Sequence, residues 1–118
     1  MWLLPTEWLC DDHLLGEHSE MHQAAGTIAN HEHGEAVMEG HCRDVRPDDV
    51  ETLLIVARHD ALAAEMGERG MDHDESNELA DFDDPGIGRI SGKDVRHNAD
   101  ELALRCRDCR SRMMAISK

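Results

Sequence analysis

Lysine is almost missing from this chain. Only Lys93 and Lys118 occur in 118 residues, and Lys plus Arg number 12 against 26 for Asp plus Glu, a formal net charge of −14. Such a surface repels nucleic acid at low salt, so the overall charge gives no sign of a polyanion-binding face. The acidic residues are spread along the whole chain and form no block or tail. That pattern predicts adaptation to molar salt, where the Debye length is about 3 Å and self-repulsion is largely screened. There is no run of eighteen apolar residues, and the opening MWLLPTEWL is too short, and lacks the basic start, for a secretory signal. The expectation is a soluble cytoplasmic protein, cell- or virus-encoded, with no membrane partner. Four cysteines without a secretory signal argue against a disulfide scaffold. The length suits one domain, residues 1–118, with a single core.

What is present begins with DDHLLGEHSEMHQAAG, residues Asp11 to Gly26, which places two glutamates and three histidines on what reads as one helix. With Asp11 or Asp12 as the cap, Leu14, Met21, Ala25 and Ile28 share one stripe, the predicted core face. A neighbouring stripe carries His13, Glu17, Glu20 and Ala24, so an imidazole and two carboxylates line the edge of the apolar face. Partly buried carboxylates need a reason.

The rest also reads as helical. RPDDVETLLIVARHDALAAEMGERG starts at Pro47, Asp48 and Asp49, offers an apolar face of Val50, Leu53, Leu54, Ala57 and Ala61, and stops at Gly70. Asn98 with Glu101 three residues on has the pattern of a capping box, and Leu102, Cys106, Cys109 and Met113 follow as a core stripe. FDDPGIGRISGKD, with Pro85 and its glycines, reads as a surface loop. No repeat or alternating strand occurs, and the predicted class is all-α, a small single-domain helical bundle with irregular connections.

Three kinds of site can be weighed by spacing. His18 with His22, the HEH at 31 to 33, the HC at 41 to 42 and the CRDC at 106 to 109 offer metal ligands, but there is no H-E-x-x-H and no second C-x-x-C. Cys106 and Cys109 already have a place on the core stripe, so the expectation is buried thiols, no metal and no cofactor. Ser19 beside His18 and His22 does not make a triad with an oxyanion hole. GIGRISG lacks the lysine and setting of a phosphate-binding loop.

DDHLLGEHSEMHQAAGTI, followed after a gap by RHDALAAEMGERGMDHD, resembles the pyrimidine dimer DNA glycosylase family, the phage endonuclease V type. The likeness covers roughly residues 1 to 75 and extends in some relatives through NADELALRCRDCR. It implies an all-α fold and excision repair of ultraviolet-damaged duplex DNA. It further implies that the N-terminal α-amine attacks the anomeric carbon of the sugar, expels the base and forms a Schiff base, after which elimination breaks the strand. An α-amine, with a reference pKa of about 7.7 to 8.0 against about 10.4 for lysine, suits that task near neutral pH. The assisting glutamate of the family falls on Glu20, a histidine near the sugar on His13, and another residue of the same face on Glu17.

Without the resemblance, Glu20 reads as a solvated helix carboxylate and His13 as a partner of Glu17 four places on. The sequence also departs from the family at three points. Ser19 and Gln23 stand where the prototype has arginines on phosphates and substrate, leaving Gln23 a neutral contact. Arg43, Arg46 and Arg58, or Arg105, Arg107, Arg110 and Arg112, are the remaining candidates. Family members commonly open Met-Thr-Arg. This chain opens Met-Trp, and Trp2 blocks ordinary methionine removal, so the nucleophile as written is Met1 and a start three codons upstream is expected. The third departure is the net charge. The expected partner is damaged double-stranded DNA, bound by a monomer. Two other classes fit parts of the sequence: a non-catalytic DNA-binding relative, and an acidic interaction protein stabilised by zinc on Cys106, Cys109, Cys42 and His41.

Overall fold

The computed structural model describes residues 2–30, 55–71 and 92–116. They contain a short 3-10 turn, Thr6–Trp8, and four helices: α1, Asp11–Asn30; α2, Ile55–Glu68; α3, Gly92–Arg105; and α4, Arg107–Ile116. No strand occurs among the described residues, and the fold is all-α as the periodicities predict. The Pro47 to Leu54 start of the second helix, most of the loop around Pro85, His31, His33, His41, Cys42, Arg43, Arg46 and Met1 lie outside the described residues.

Helix α1 begins where the aspartates predict, but Cys10, not an aspartate, is the residue before the first turn; its carbonyl accepts from Leu14 N–H at 2.8 Å. Asp11 and Asp12 sit within that turn, where carboxylates complement the positive end of the helix. Leu14, Met21 and Ala25 are buried as expected. Helix α2 ends at Gly70, whose φ of 74° is the left-handed conformation that glycine adopts without a Cβ clash. Gly70 N–H bonds to the Gly67 carbonyl at 3.1 Å and Met71 N–H to that of Met66 at 2.9 Å, the paired bonds of a Schellman stop.

Within the described part of α2 the buried face is not the one that Ala57 and Ala61 were expected to share with the undescribed Val50, Leu53 and Leu54. Ala57 and Ala61 are exposed, while Ile55, His59, Leu62 and Met66 are buried. Burying large side chains gains more than burying alanine methyls, so the stripe with the larger residues wins. The third predicted helix is also revised. It starts at Gly92, inside the expected loop, and Asn98 is not a cap but a fully buried interior residue. It then breaks at Cys106 into α3 and α4. The Cys106 Sγ accepts from Cys109 N–H at 3.4 Å and so caps the new helix.

Helix α1 packs on α2, α3 on α4, and the 3-10 turn contacts α4 and α2. The shared core holds Leu4, Leu9, Leu14, Met21, Ile55, Leu62, Met66 and Leu102, with Trp2 and Trp8 partly buried against it. This core is aliphatic and sulfur-rich, in a chain with only 3% aromatic residues.

Candidate active site

The chemistry-bearing stripe of α1 faces the first residues of the chain. Glu17 is 2% exposed, and its Oε1 accepts Trp2 N–H at 2.7 Å and Leu3 N–H at 3.3 Å. Leu3 itself takes a φ of 59°, a left-handed conformation that costs a non-glycine residue about 1 to 3 kcal/mol. The other oxygen, Oε2, forms an ion pair with Arg58 Nε of α2. Burying a carboxylate is expensive unless it is paired and hydrogen-bonded, and here both conditions are met.

From the opposite side, Asn98 of α3 donates from Nδ2 to the Trp2 carbonyl at 3.2 Å. Residue 2 is therefore gripped at its amide by α1 and at its carbonyl by α3. The indole of Trp2 meets the His13 ring edge-on, with centroids 6.3 Å apart and planes at 76°, and the Arg105 guanidinium lies 5.5 Å from the indole centroid. Glu20, one turn beyond Glu17, is half-buried, and Gln23 is exposed. Helix α1 thus sets the Glu17 carboxylate against the backbone of Trp2 and Leu3.

A family model described as pyrimidine dimer DNA glycosylase matches residues 1–79. The chain belongs to that family. Comparisons with curated proteins and with solved structures find no match. Membership makes this a DNA repair glycosylase, with DNA as its partner. The matched region holds the N-terminal segment, α1 and α2. Asn98 and the whole of α3 and α4 lie beyond it, so the glycosylase holds Trp2 partly with residues outside the matched segment. Among the described residues no helix is long and apolar enough to cross a membrane.

The arginines of this glycosylase divide by burial. Arg58 is largely buried against Glu17, so it is not a surface contact for phosphate. Arg69 bonds Asp11, Glu65 and the Thr6 carbonyl, and Arg112 bonds the Glu7 carbonyl. Arg96, Arg105, Arg107 and Arg110 are exposed, with Arg105 also paired to Glu101.

Among the described residues, two clusters of metal-capable groups accompany the site. In the first, His59 Nε2 lies 3.1 Å from the Nε2 atoms of both His18 and His22, and His59 Nδ1 faces Asp60 Oδ1 at 3.1 Å. This joins the His18 and His22 pair of α1 to a histidine of α2. The second brings Cys10 and His13 to Cys106 and Cys109. Cys109 sits on the core stripe as predicted and Cys106 packs against it; the Cys42 and His41 weighed with them from sequence lie outside the described residues. Cys10, which spacing alone did not single out, was signalled by a C-x-x-H at 10 to 13 that matches the C-x-x-C at 106 to 109. Burial, first among several causes, pushes the Cys109 thiol up to about 12. The Cys106 thiol is held below its ordinary value: its slight burial acts upward, and hydrogen bonds from Cys109, from the Cys10 thiol and from the Asp108 amide outweigh it.

Proposed function

We propose that this glycosylase acts on ultraviolet-induced pyrimidine dimers in duplex DNA and couples base removal to abasic-site lyase chemistry through its N-terminal α-amine. The observation that carries the reading is the grip on residue 2 by Glu17 and Asn98. A terminal segment is normally among the most mobile parts of a chain, and anchoring it at residue 2 limits the positions that the amine at its end can take.

In the proposed reaction the neutral amine attacks C1′, the glycosidic C–N bond breaks, and the base leaves with a proton on its ring nitrogen. The sugar ring opens as O4′ takes a proton, leaving an imine between C1′ and the α-nitrogen. Loss of a proton from C2′ then expels the 3′ phosphate by β-elimination. Glu20 carries these protons and stabilises the cationic sugar, in a space opened by flipping a nucleotide out of the duplex. Glu17, its oxygens occupied by Trp2, Leu3 and Arg58, is a positioning residue. His13 acts through its edge contact with Trp2, and Gln23 is a neutral DNA contact on the exposed side. No step requires a metal or organic cofactor at the reacting atoms.

Borohydride reduction tests the imine, because it leaves protein covalently attached to irradiated or abasic DNA. The chain beginning at Met1 is compared with one extended by Met-Thr-Arg, in which processing exposes a threonine amine. Strong trapping is expected from the extended form. Glu20→Gln in that form should lower turnover roughly 100-fold or more while binding to damaged duplex persists. Failure of both forms to trap DNA in molar salt, or full turnover by Glu20→Gln, overturns the mechanism.

A further inference from the structure

We propose that Cys10, His13, Cys106 and Cys109 form a structural zinc site that ties the start of α1 to the junction of α3 and α4. The inference stands apart from the glycosylase mechanism and uses none of its steps.

The four donor atoms lie within 4.8 Å of one another. Cys10 Sγ is 3.8 Å from Cys106 Sγ and 3.2 Å from His13 Nδ1, and Cys109 Sγ is 3.4 Å from His13 Nδ1. A tetrahedral zinc with bonds of about 2.3 Å to sulfur and 2.0 to 2.1 Å to nitrogen requires separations of about 3.8 Å for S···S and about 3.5 Å for S···N. The Cys10–Cys106 pair at 3.8 Å matches, the Cys109–His13 pair at 3.4 Å comes close, the Cys10–His13 pair at 3.2 Å is somewhat tighter, and every remaining pair lies within 4.8 Å, so an ion would need only small side-chain adjustments. A disulfide does not fit, since bonded sulfurs stand about 2.05 Å apart. A set of hydrogen-bonded thiols fits poorly, because a thiol is a weak donor and a weak acceptor and gives little reason for three sulfurs and an imidazole to converge.

The backbone supports the same conclusion. Cys10 and Cys106 each immediately precede a helix, and His13 and Cys109 lie three residues on, in the first turns of α1 and α4. Two helix N-termini therefore face the cluster, and their positive ends favour the net negative charge of three thiolates around one dication. Cys10 N–H points to Cys109 Sγ at 3.2 Å and Cys109 N–H to Cys106 Sγ at 3.4 Å. Such outer contacts orient metal-bound thiolates. Four protein ligands close the coordination shell, which makes the site structural.

The fold gains from such a site. Cys10 and Cys106 are 96 residues apart, and the core that joins them contains few aromatics. The break at Cys106 turns Cys106 and Cys109 toward α1. The zinc would also hold α3 where Asn98 reaches Trp2, and His13 where it meets the indole.

The test uses the full chain purified under reducing conditions. Elemental analysis should find zinc bound, and exchange for Co²⁺ should give the thiolate-to-cobalt charge-transfer absorption of a tetrahedral cysteine-rich site. The histidine cluster at His18, His22 and His59 has only nitrogen donors and cannot give that band. His13→Ala should weaken zinc binding by more than about 100-fold, exceeding the loss typical for outer-shell partners, whereas His13→Cys should retain the metal. Chelation should lower the melting temperature, and zinc should restore it. Metal-free protein whose melting temperature ignores zinc, cobalt-loaded protein without the thiolate band, or a Cys10–Cys106 disulfide in the reduced preparation would each overturn the site.

Discussion

Asn98 and Trp2, 96 residues apart, are joined where the Nδ2 of a fully buried asparagine meets a backbone carbonyl at 3.2 Å. With Glu17 on the other side of the same residue, this bond makes the position of Trp2 a property of the tertiary fold.

Asn98→Ala should therefore act at a distance from any reacting atom. It leaves the Trp2 carbonyl without this donor, at a cost of about 1 to 3 kcal/mol, which thermal melts measure. Borohydride trapping by the extended form should slow roughly 10- to 100-fold through misplacement of the amine, with damaged-duplex affinity little changed. Trapping at the original rate would show that the grip on residue 2 does not orient the nucleophile.

Glu17→Gln and Glu20→Gln should separate structure from chemistry. The first leaves the largely buried Arg58 without its counter-charge, a loss of about 3 to 5 kcal/mol, and a fall in melting temperature of more than about 10 °C is expected. The second changes a half-buried carboxylate and should leave the melting temperature within a few degrees while turnover collapses. The reverse pattern would exchange the two roles.

Arg107 and Arg110, exposed on α4, are candidates for the positive charge on phosphates that the neutral Ser19 and Gln23 cannot supply. Replacing either with alanine should weaken binding to damaged and undamaged duplex alike. The slope of log affinity against log salt should become shallower by about 0.9 for each phosphate that the arginine had neutralised. An unchanged slope would place those contacts elsewhere.

Stability should rise with salt. Between about 0.1 M and about 1 M KCl the Debye length falls from about 10 Å to about 3 Å, which screens the repulsion of a chain at −14. Melts across that range should show an increasing midpoint, and a flat or falling one would remove the halophilic reading.

The sequence by itself determined the features that depend on near neighbours in the chain. Asp11 and Asp12 mark the start of α1, the Leu14, Met21 and Ala25 stripe follows from a period of 3.6, and Gly70 ends α2 because glycine alone takes its backbone angle freely. The family motif on α1 is equally local. The tertiary structure decided which of two available faces α2 buries, because Ala57 and Ala61 satisfy an apolar pattern yet gain little from burial beside Ile55, Leu62 and Met66. It also decided that Asn98, three residues before a glutamate as in a capping box, lies inside a helix and holds Trp2. The pairing of Cys10 and His13 with Cys106 and Cys109 belongs to the same class. Periodicity reports which face of a helix a residue occupies, whereas contacts between positions nearly a hundred residues apart are set by how those faces pack.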